Sequence, residues 1–112
     1  MDCIFCKIIS GEIPSKKIYE DDEILAFHDI NAMAPVHFLV IPKKHIPDIT
    51  QAGTADMALL GKLLFKAQEL ASQNGCEKGF RIAINCKSHG GQTVEHLHLH
   101  ILGGRFLTWP PG

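Results

Sequence analysis

Histidine occupies every second position of one short apolar segment, and this segment constrains the fold more than any other. Residues 94–102 read Val-Glu-His-Leu-His-Leu-His-Ile-Leu. Successive side chains of a β-strand point to opposite faces, so we expect His96, His98 and His100 on one face and the aliphatic residues on the other. A half-exposed strand face could use threonine or lysine, whereas three histidines cluster groups that titrate near pH 7. The pattern therefore favours a functional site over an ordinary polar face.

The composition indicates one domain with a substantial core. The chain has 112 residues, of which 46% are hydrophobic, and a formal net charge of −1. Domains cluster near about 100–150 residues, and no repeat or linker divides this chain, so we expect a single domain over residues 1–112. The charge balance argues against nucleic acid or anionic lipid as a partner. No apolar stretch approaches the ~18 residues that span a bilayer, and no secretory signal is evident, so the expected location is the cytoplasm.

The remaining pattern predicts an α+β fold with about five antiparallel strands, one long helix and a short N-terminal helix. Apolar residues at helical spacing predict the short helix over residues 3–9 and the long helix from Thr54 to Gly75. Thr54 is expected to cap the long helix, and Gly75 suits a left-handed exit. The expected strands are 16–20, 23–28, 37–41, 80–85 and 95–102. The aliphatic face of the last strand is expected to pack against the long helix.

A glycine-rich loop precedes the histidine run. Gly90 and Gly91 permit close approach of the backbone to a ligand, and clustered N–H groups with the Thr93 hydroxyl can hold an anion. A glycine pair alone is weak evidence, because turns use it constantly. Beside three histidines, it predicts a phosphate-binding site.

A C-x-x-C pair lies near the N-terminus. Cys3 and Cys6 are three residues apart, a spacing at which two thiolates can converge on one metal ion. The same pair could instead be reduced thiols that pack as small hydrophobic groups beside Phe5. The residues alone leave both interpretations open.

Taken together, these motifs resemble the histidine triad superfamily and, within it, the Hint branch. The resemblance covers essentially the whole chain. The matching segments are Phe27–Ile30, Ala34–Pro35, His37–Ile46, Gly90–Gln92, His96–Leu102, Leu102–Arg105 and Trp109–Gly112. Hint proteins are purine nucleoside phosphoramidases, which hydrolyse the P–N bond that joins AMP to an amine. The resemblance implies this reaction here, through a covalent nucleotidyl-histidine intermediate and without an organic cofactor.

The resemblance also implies a role for each site residue. His98 would attack the α-phosphorus, while His100 and the Thr93 hydroxyl would contact phosphate oxygens. Asp29 would accept hydrogen bonds from both ribose hydroxyls. The implied catalytic residues are His37, His96, His98 and His100. The implied nucleotide-binding residues are Phe5, Ile8, Phe27, His28, Asp29, Ile30, Leu39, Asn85, Gly91, Gln92, Thr93, His98, His100 and Trp109.

Some bacterial relatives in this superfamily complete a tetrahedral zinc site with two histidines. One follows the Pro-Lys strand and the other is the first of the triad. By this resemblance, the implied ligands of a structural zinc ion are Cys3, Cys6, His45 and His96.

The resemblance further implies a twofold homodimer in which two sheets join and the segment containing Trp109 reaches the partner's active site. Two alternatives to the phosphoramidase remain. A sibling branch cleaves dinucleoside polyphosphates, but it typically has Gln where this chain has His100. The other is a metal-binding interaction module without turnover, which an assay with an AMP–amine conjugate would distinguish.

Overall fold

The computed structural model describes residues 2–112 and has the expected α+β architecture. A five-stranded antiparallel sheet has the strand order β1-β2-β3-β5-β4. The elements are α1 (Ile4–Ser10), β1 (Lys17–Glu20), β2 (Ile24–His28), β3 (Val36–Pro42), α2 (Met57–Gln73), β4 (Phe80–Ala83) and β5 (Leu99–Gly103). Within residues 2–112, no helix is both long enough and apolar enough to cross a membrane.

Apolar side chains cover both faces of the central strand β3. Phe38 and Val40 pack with α2 residues such as Leu63 and Ala67 in the larger core. Leu39 and Ile41 face the other way, into a smaller cluster that contains residues of α1. Because β3 is paired along both edges and covered on both faces, it is apolar almost throughout. The two helices thus lie on opposite faces of the sheet.

The long helix begins with a short 3-10 turn over Thr54–Asp56 before α2 proper. The side chain that caps this end of the helix is Asp56 and not Thr54, which was expected. The Asp56 carboxylate accepts a hydrogen bond from the Gly53 N–H at 2.9 Å. At the other end, Gly75 has φ +90°, as its position after the helix predicts.

The prediction that the histidine strand spans residues 95–102 is wrong in its first half. The strand β5 contains His100, while His96 and His98 lie in an irregular segment before it. The Leu97 N–H there donates to the Ile46 carbonyl, which lies beyond the end of β3, so regular pairing stops. Leu97, Leu99 and Ile101 still pack in the core against α2, as expected.

The strand predicted over residues 80–85 is also shorter, because β4 ends at Ala83. The histidine side chains are also more enclosed than those on a half-exposed strand face would be. The side chains of His96 and His98 are only 0% and 4% exposed. Two imidazoles that are almost entirely enclosed need hydrogen-bond partners inside the protein, which the local geometry supplies.

Candidate functional site

The histidine run divides between two groups of side chains. His96 joins Cys3, Cys6 and His45, and we call this group the cysteine cluster. His100 joins Asp29 and His37, which we call the carboxylate cluster. In each group the potential ligand atoms all lie within 4.8 Å of one another. His98 lies between the two clusters, with its ring centroid 4.9 Å from that of His100.

The distances in the cysteine cluster fit one tetrahedral metal ion. Cys3 Sγ lies 3.4 Å from His96 Nδ1, and Cys6 Sγ lies 3.4 Å from His45 Nδ1. The two Nδ1 atoms of His45 and His96 are 3.1 Å apart. Ordinary zinc–ligand bonds in a tetrahedron place sulfur and nitrogen about 3.5 Å apart and two nitrogens about 3.3 Å apart. The four side chains are therefore close enough, and correctly arranged, to hold a metal ion.

The tautomer of His96 also suits metal binding. Its Nε2 lies 2.8 Å from the Pro42 carbonyl oxygen, which can only accept a hydrogen bond. We therefore assign the proton to Nε2, which leaves a lone pair on Nδ1 directed at the thiols. Burial lowers the pKa of His96 and keeps the ring neutral near pH 7. A neutral imidazole whose outer nitrogen donates to a carbonyl is the usual form of a histidine ligand.

The start of α1 brings the two thiols together. Cys3 is the N-cap residue, and its sulfur accepts the Cys6 N–H at 3.4 Å. One helical turn places residues three apart on the same side, so both sulfurs face His45 and His96. Phe5, between them in sequence, points into the apolar cluster and lies 5.6 Å from Phe27. The start of the helix thus presents two thiols on one side and a packing residue on the other.

Hydrogen bonding and packing hold the ring of His98 in one orientation and one tautomer. Its Nδ1 lies 2.7 Å from the main-chain oxygen of His96, so Nδ1 carries the proton and Nε2 keeps its lone pair. Phe5 lies edge-on to the ring, with the centroids 5.1 Å apart. Burial lowers the pKa of His98, which keeps the ring unprotonated near pH 7. A neutral, fixed imidazole can attack an electrophilic phosphorus.

Hydrogen bonds in the carboxylate cluster set a chain of tautomers. The Met33 N–H donates to His37 Nδ1 at 3.0 Å, so the proton of this ring lies on Nε2. His37 Nε2 then donates to His100 Nδ1 at 3.0 Å. Asp29 Oδ2 lies 3.4 Å from His37 Nε2. His100 must therefore carry its proton on Nε2. Burial, followed by the neighbouring His98 and His37, lowers the pKa of His100 to about 4.

The same geometry disfavours a metal ion in the carboxylate cluster. A metal on His37 Nε2 would require the ring proton to move to Nδ1, where it would oppose the Met33 N–H. This cluster is arranged to hold and orient protons instead.

The apolar residues expected at the nucleoside pocket are only partly brought together. Phe5, Ile8, Phe27 and Leu39 are buried in one cluster that adjoins His98. By contrast, His28 is exposed, and Ile30 and Trp109 are 97% and 80% exposed. The apolar wall is thus formed in the single chain, while three of the expected pocket residues lie on the surface.

The Gln92 side chain fastens the glycine loop. Its Nε2 donates to the Pro47 and Val94 carbonyls at 2.8 and 2.9 Å, and its Oε1 accepts the Lys87 N–H at 2.8 Å. Gly90 is required at its position, because a Cβ would lie 2.4 Å from the Cys86 carbonyl oxygen. Asn85 is half-buried, whereas Gly91 and Thr93 are exposed, and Thr93 lines a pocket beside Cys3 and His45.

Sequence reasoning missed the main-chain partners that decide how each histidine acts. These partners are the Pro42 carbonyl for His96, the Met33 N–H for His37 and the His96 carbonyl for His98. Any residue type supplies such groups, so only the folded backbone identifies them.

The fold and the clustered histidines together define the histidine triad class. The HIT domain model matches residues 10–107. An uncharacterised HIT-like protein of Synechocystis sp. is 57% identical over 111 residues, which is 99% of this chain and 97% of that protein. The chain therefore belongs to the HIT family.

Solved structures agree. A HIT family hydrolase from Legionella pneumophila has 52% identity and a TM-score of 0.96, covering 99% of this chain and all of that one. A histidine triad protein from Clostridium difficile has 49% identity and a TM-score of 0.92, covering 96% of this chain and 95% of that one.

Proposed function

We propose that this chain is a purine nucleoside phosphoramidase of the Hint branch. It hydrolyses the P–N bond of adenosine 5′-phosphoramidates and releases AMP and an amine. The observation that carries the proposal is the buried, neutral His98, whose Nδ1–H is held by the His96 carbonyl so that Nε2 is the reactive atom. The relative from Legionella pneumophila, described as a HIT family hydrolase, supports hydrolysis as the reaction class.

The first step is attack of His98 Nε2 on the α-phosphorus. A new N–P bond forms to the histidine while the P–N bond to the amine breaks, and the amine leaves with its electron pair and takes up a proton. His100, which carries its proton on Nε2, donates a hydrogen bond to a phosphoryl oxygen as negative charge develops there. His37 is a positioning residue, because it acts by fixing the tautomer of His100.

The second step is attack of water on the same phosphorus. The oxygen–phosphorus bond forms, the water gives up a proton to solvent, the histidine–phosphorus bond breaks, and His98 recovers its lone pair as AMP departs. Asp29 lies in the carboxylate cluster, so a ribose bound to it is adjacent to a phosphate bound at His98 and His100. The apolar wall of Phe5, Ile8, Phe27 and Leu39 is suited to the purine ring.

We further propose that the cysteine cluster holds one zinc ion in a structural role. Two thiolates and two neutral imidazoles are a standard tetrahedral set that leaves no open coordination position. When bound, the ion neutralises the thiolates and cross-links α1 to the end of β3 and the histidine segment. The nucleophile remains His98.

A homodimer is the proposed assembly of this cytoplasmic enzyme. The edge strand β4 has one open side, and natural proteins rarely leave such an edge uncovered. The guanidinium of Arg81, on this strand, lies over the Trp109 ring at 5.9 Å from the ring centroid. The Trp109 side chain nevertheless remains largely exposed. Exposed Met57 and Leu64 add apolar surface on α2. Sedimentation velocity at micromolar concentration should give a dimer.

Turnover of an adenosine phosphoramidate by the purified chain tests the reaction. His98→Ala should lower kcat by at least about 100-fold, whereas His89→Ala, in the exposed loop, should leave it unchanged. Mass spectrometry after an acid-free quench should detect AMP on His98. A wild-type protein that binds zinc but releases no AMP would favour the metal-binding module. Preferential cleavage of dinucleoside polyphosphates would favour the sibling branch.

A further inference from the structure

The thiols of the cysteine cluster lie where they can hold a metal or bond to each other. Cα atoms three residues apart in a helix are about 5 Å apart, within the 4.4–6.8 Å that disulfides span. Cys3 and Cys6 have this spacing at the start of α1, and their sulfurs belong to one group of atoms within 4.8 Å. A disulfide between them therefore requires little more than rotation of the side chains.

A small oxidant has access to these thiols. Cys6 is partly exposed, and an open pocket is lined by Asp2, Cys3 and His45. The other cysteines have different surroundings. Cys76 is buried in the core beneath α2. The Cys86 thiol, which precedes the glycine loop, lies with its Sγ 3.7 Å from Asp48 Oδ1. Neither has a cysteine three residues away with which to form a disulfide.

The cysteine cluster is physically connected to the nucleophile by two contacts. His96 is a ligand through its side chain, and its main-chain oxygen holds the Nδ1–H of His98. Phe5 lies between the two cysteines on α1, and its ring contacts both His96 and His98, with centroids 5.9 and 5.1 Å apart. A change at the thiols can therefore displace both groups that position His98.

We propose that Cys3 and Cys6 form a peroxide-sensitive switch that controls the phosphoramidase through its metal site. The inference rests on the proposed zinc binding and activity. One thiolate attacks hydrogen peroxide to form a sulfenic acid and release hydroxide, and the second thiolate displaces the sulfenic oxygen to form the disulfide. The two sulfurs lose two electrons, the peroxide gains them, and two protons from solvent complete two waters. The disulfide no longer supplies thiolate ligands, so the metal leaves and His96 loses its anchor.

The experiment uses the full chain purified with its zinc and then exposed to hydrogen peroxide. We expect release of close to one zinc per chain into a colorimetric chelator, a Cys3–Cys6 disulfide by peptide mass spectrometry, and a fall in kcat/KM of at least about 10-fold. Dithiothreitol with added zinc should restore the activity. Cys86→Ser, which changes a cysteine outside the cluster, should respond in the same way as wild type.

The readouts separate the switch from the function on which it rests. Zinc that stays bound, or thiols that stay reduced while peroxide oxidises a free thiol control, would overturn the switch. So would a zinc-free disulfide form with unchanged kcat/KM. Protein that purifies without zinc would overturn both the metal proposal and the switch. If zinc-loaded protein releases no AMP, the phosphoramidase proposal fails. The switch then fails too, even where zinc release and the disulfide are observed, because there is no activity for it to control.

Discussion

The two histidine clusters contain the same kind of residue, yet the backbone prepares them for opposite tasks. In the cysteine cluster, His96 donates through Nε2 to a carbonyl and directs a lone pair at the other ligands. In the carboxylate cluster, His37 accepts an N–H through Nδ1 and directs a proton at His100. For each ring, one main-chain group bonded to the outer nitrogen decides whether the nitrogen that faces the cluster offers a lone pair or donates a proton.

The charge of these histidines does not distinguish the clusters, because burial lowers the pKa of His37, His96 and His100 alike. All three rings are neutral near pH 7. All three rings also carry the proton on Nε2, so the difference is which ring nitrogen faces the cluster. His96 turns its Nδ1 lone pair toward the thiols, whereas His37 turns its Nε2–H toward His100. Substitutions in each cluster should have separable effects on stability and on chemistry.

The largest effect is expected from His96→Ala. This variant removes a fully buried ligand, so we expect loss of zinc and a decrease of about 3–5 kcal/mol in the free energy of unfolding. His45→Ala also removes a ligand but leaves a smaller cavity, and should cost less. Urea denaturation and elemental analysis of both variants provide the measurement. Retention of zinc by His96→Ala would contradict the assignment of the ligands.

His37→Asn should affect chemistry instead. Without the His37 donor, His100 no longer has a fixed tautomer, so kcat/KM should fall by about 10–100-fold. Zinc content should remain that of wild type, since His37 is not in the cysteine cluster. Steady-state kinetics with parallel metal analysis test both statements, with His89→Asn as the control. A variant that loses zinc but keeps its kcat/KM would reverse the roles of the clusters.

A pH dependence of stability follows from His100. Its pKa of about 4 in the folded protein lies below the unfolded value of about 6.5, so the unfolded chain binds more protons between these values. Its contribution to stability is present above pH 6.5 and is lost as pH falls toward 4. We expect the free energy of unfolding to fall less between pH 7 and pH 4.5 in His100→Asn than in wild type, by about 1–2 kcal/mol, as measured by denaturation at both pH values. Equal differences in both proteins would mean that His100 is not held neutral by the fold.

The smallest effect is expected for Asp29→Asn on metal content. The carboxylate cluster is not arranged for a metal, so the variant should hold one zinc per chain, as wild type does. Its binding of AMP, measured by calorimetry, should nevertheless weaken, because the proposed ribose partner loses its charge. A second zinc in wild type that disappears in Asp29→Asn would show that the carboxylate cluster also binds metal.

The sequence predicts the α+β fold, and the family resemblance predicts the four members of the cysteine cluster, but neither predicts the tautomers of the histidines. Alternation correctly places Leu97, Leu99 and Ile101 against α2. The same alternation wrongly extends the strand back to residue 95, because no local sequence pattern shows that the Leu97 N–H bonds to the Ile46 carbonyl, beyond the end of β3. C-x-x-C indicates half of a metal site, and only the family resemblance indicates His45 and His96. The tautomers depend on distant backbone groups, which no local pattern encodes.

The strand order has a consequence for biosynthesis. Both clusters combine residues from before position 46 with residues after position 95, and Cys3 and His96 are separated by 93 positions. The central strand β3 keeps an open edge until β5 has left the ribosome and inserts between β3 and β4. A nascent chain can form the first hairpin early, yet the cysteine cluster cannot form before His96 is available, nor the carboxylate cluster before His100. Metal capture and catalytic competence should therefore arise together, at the end of folding.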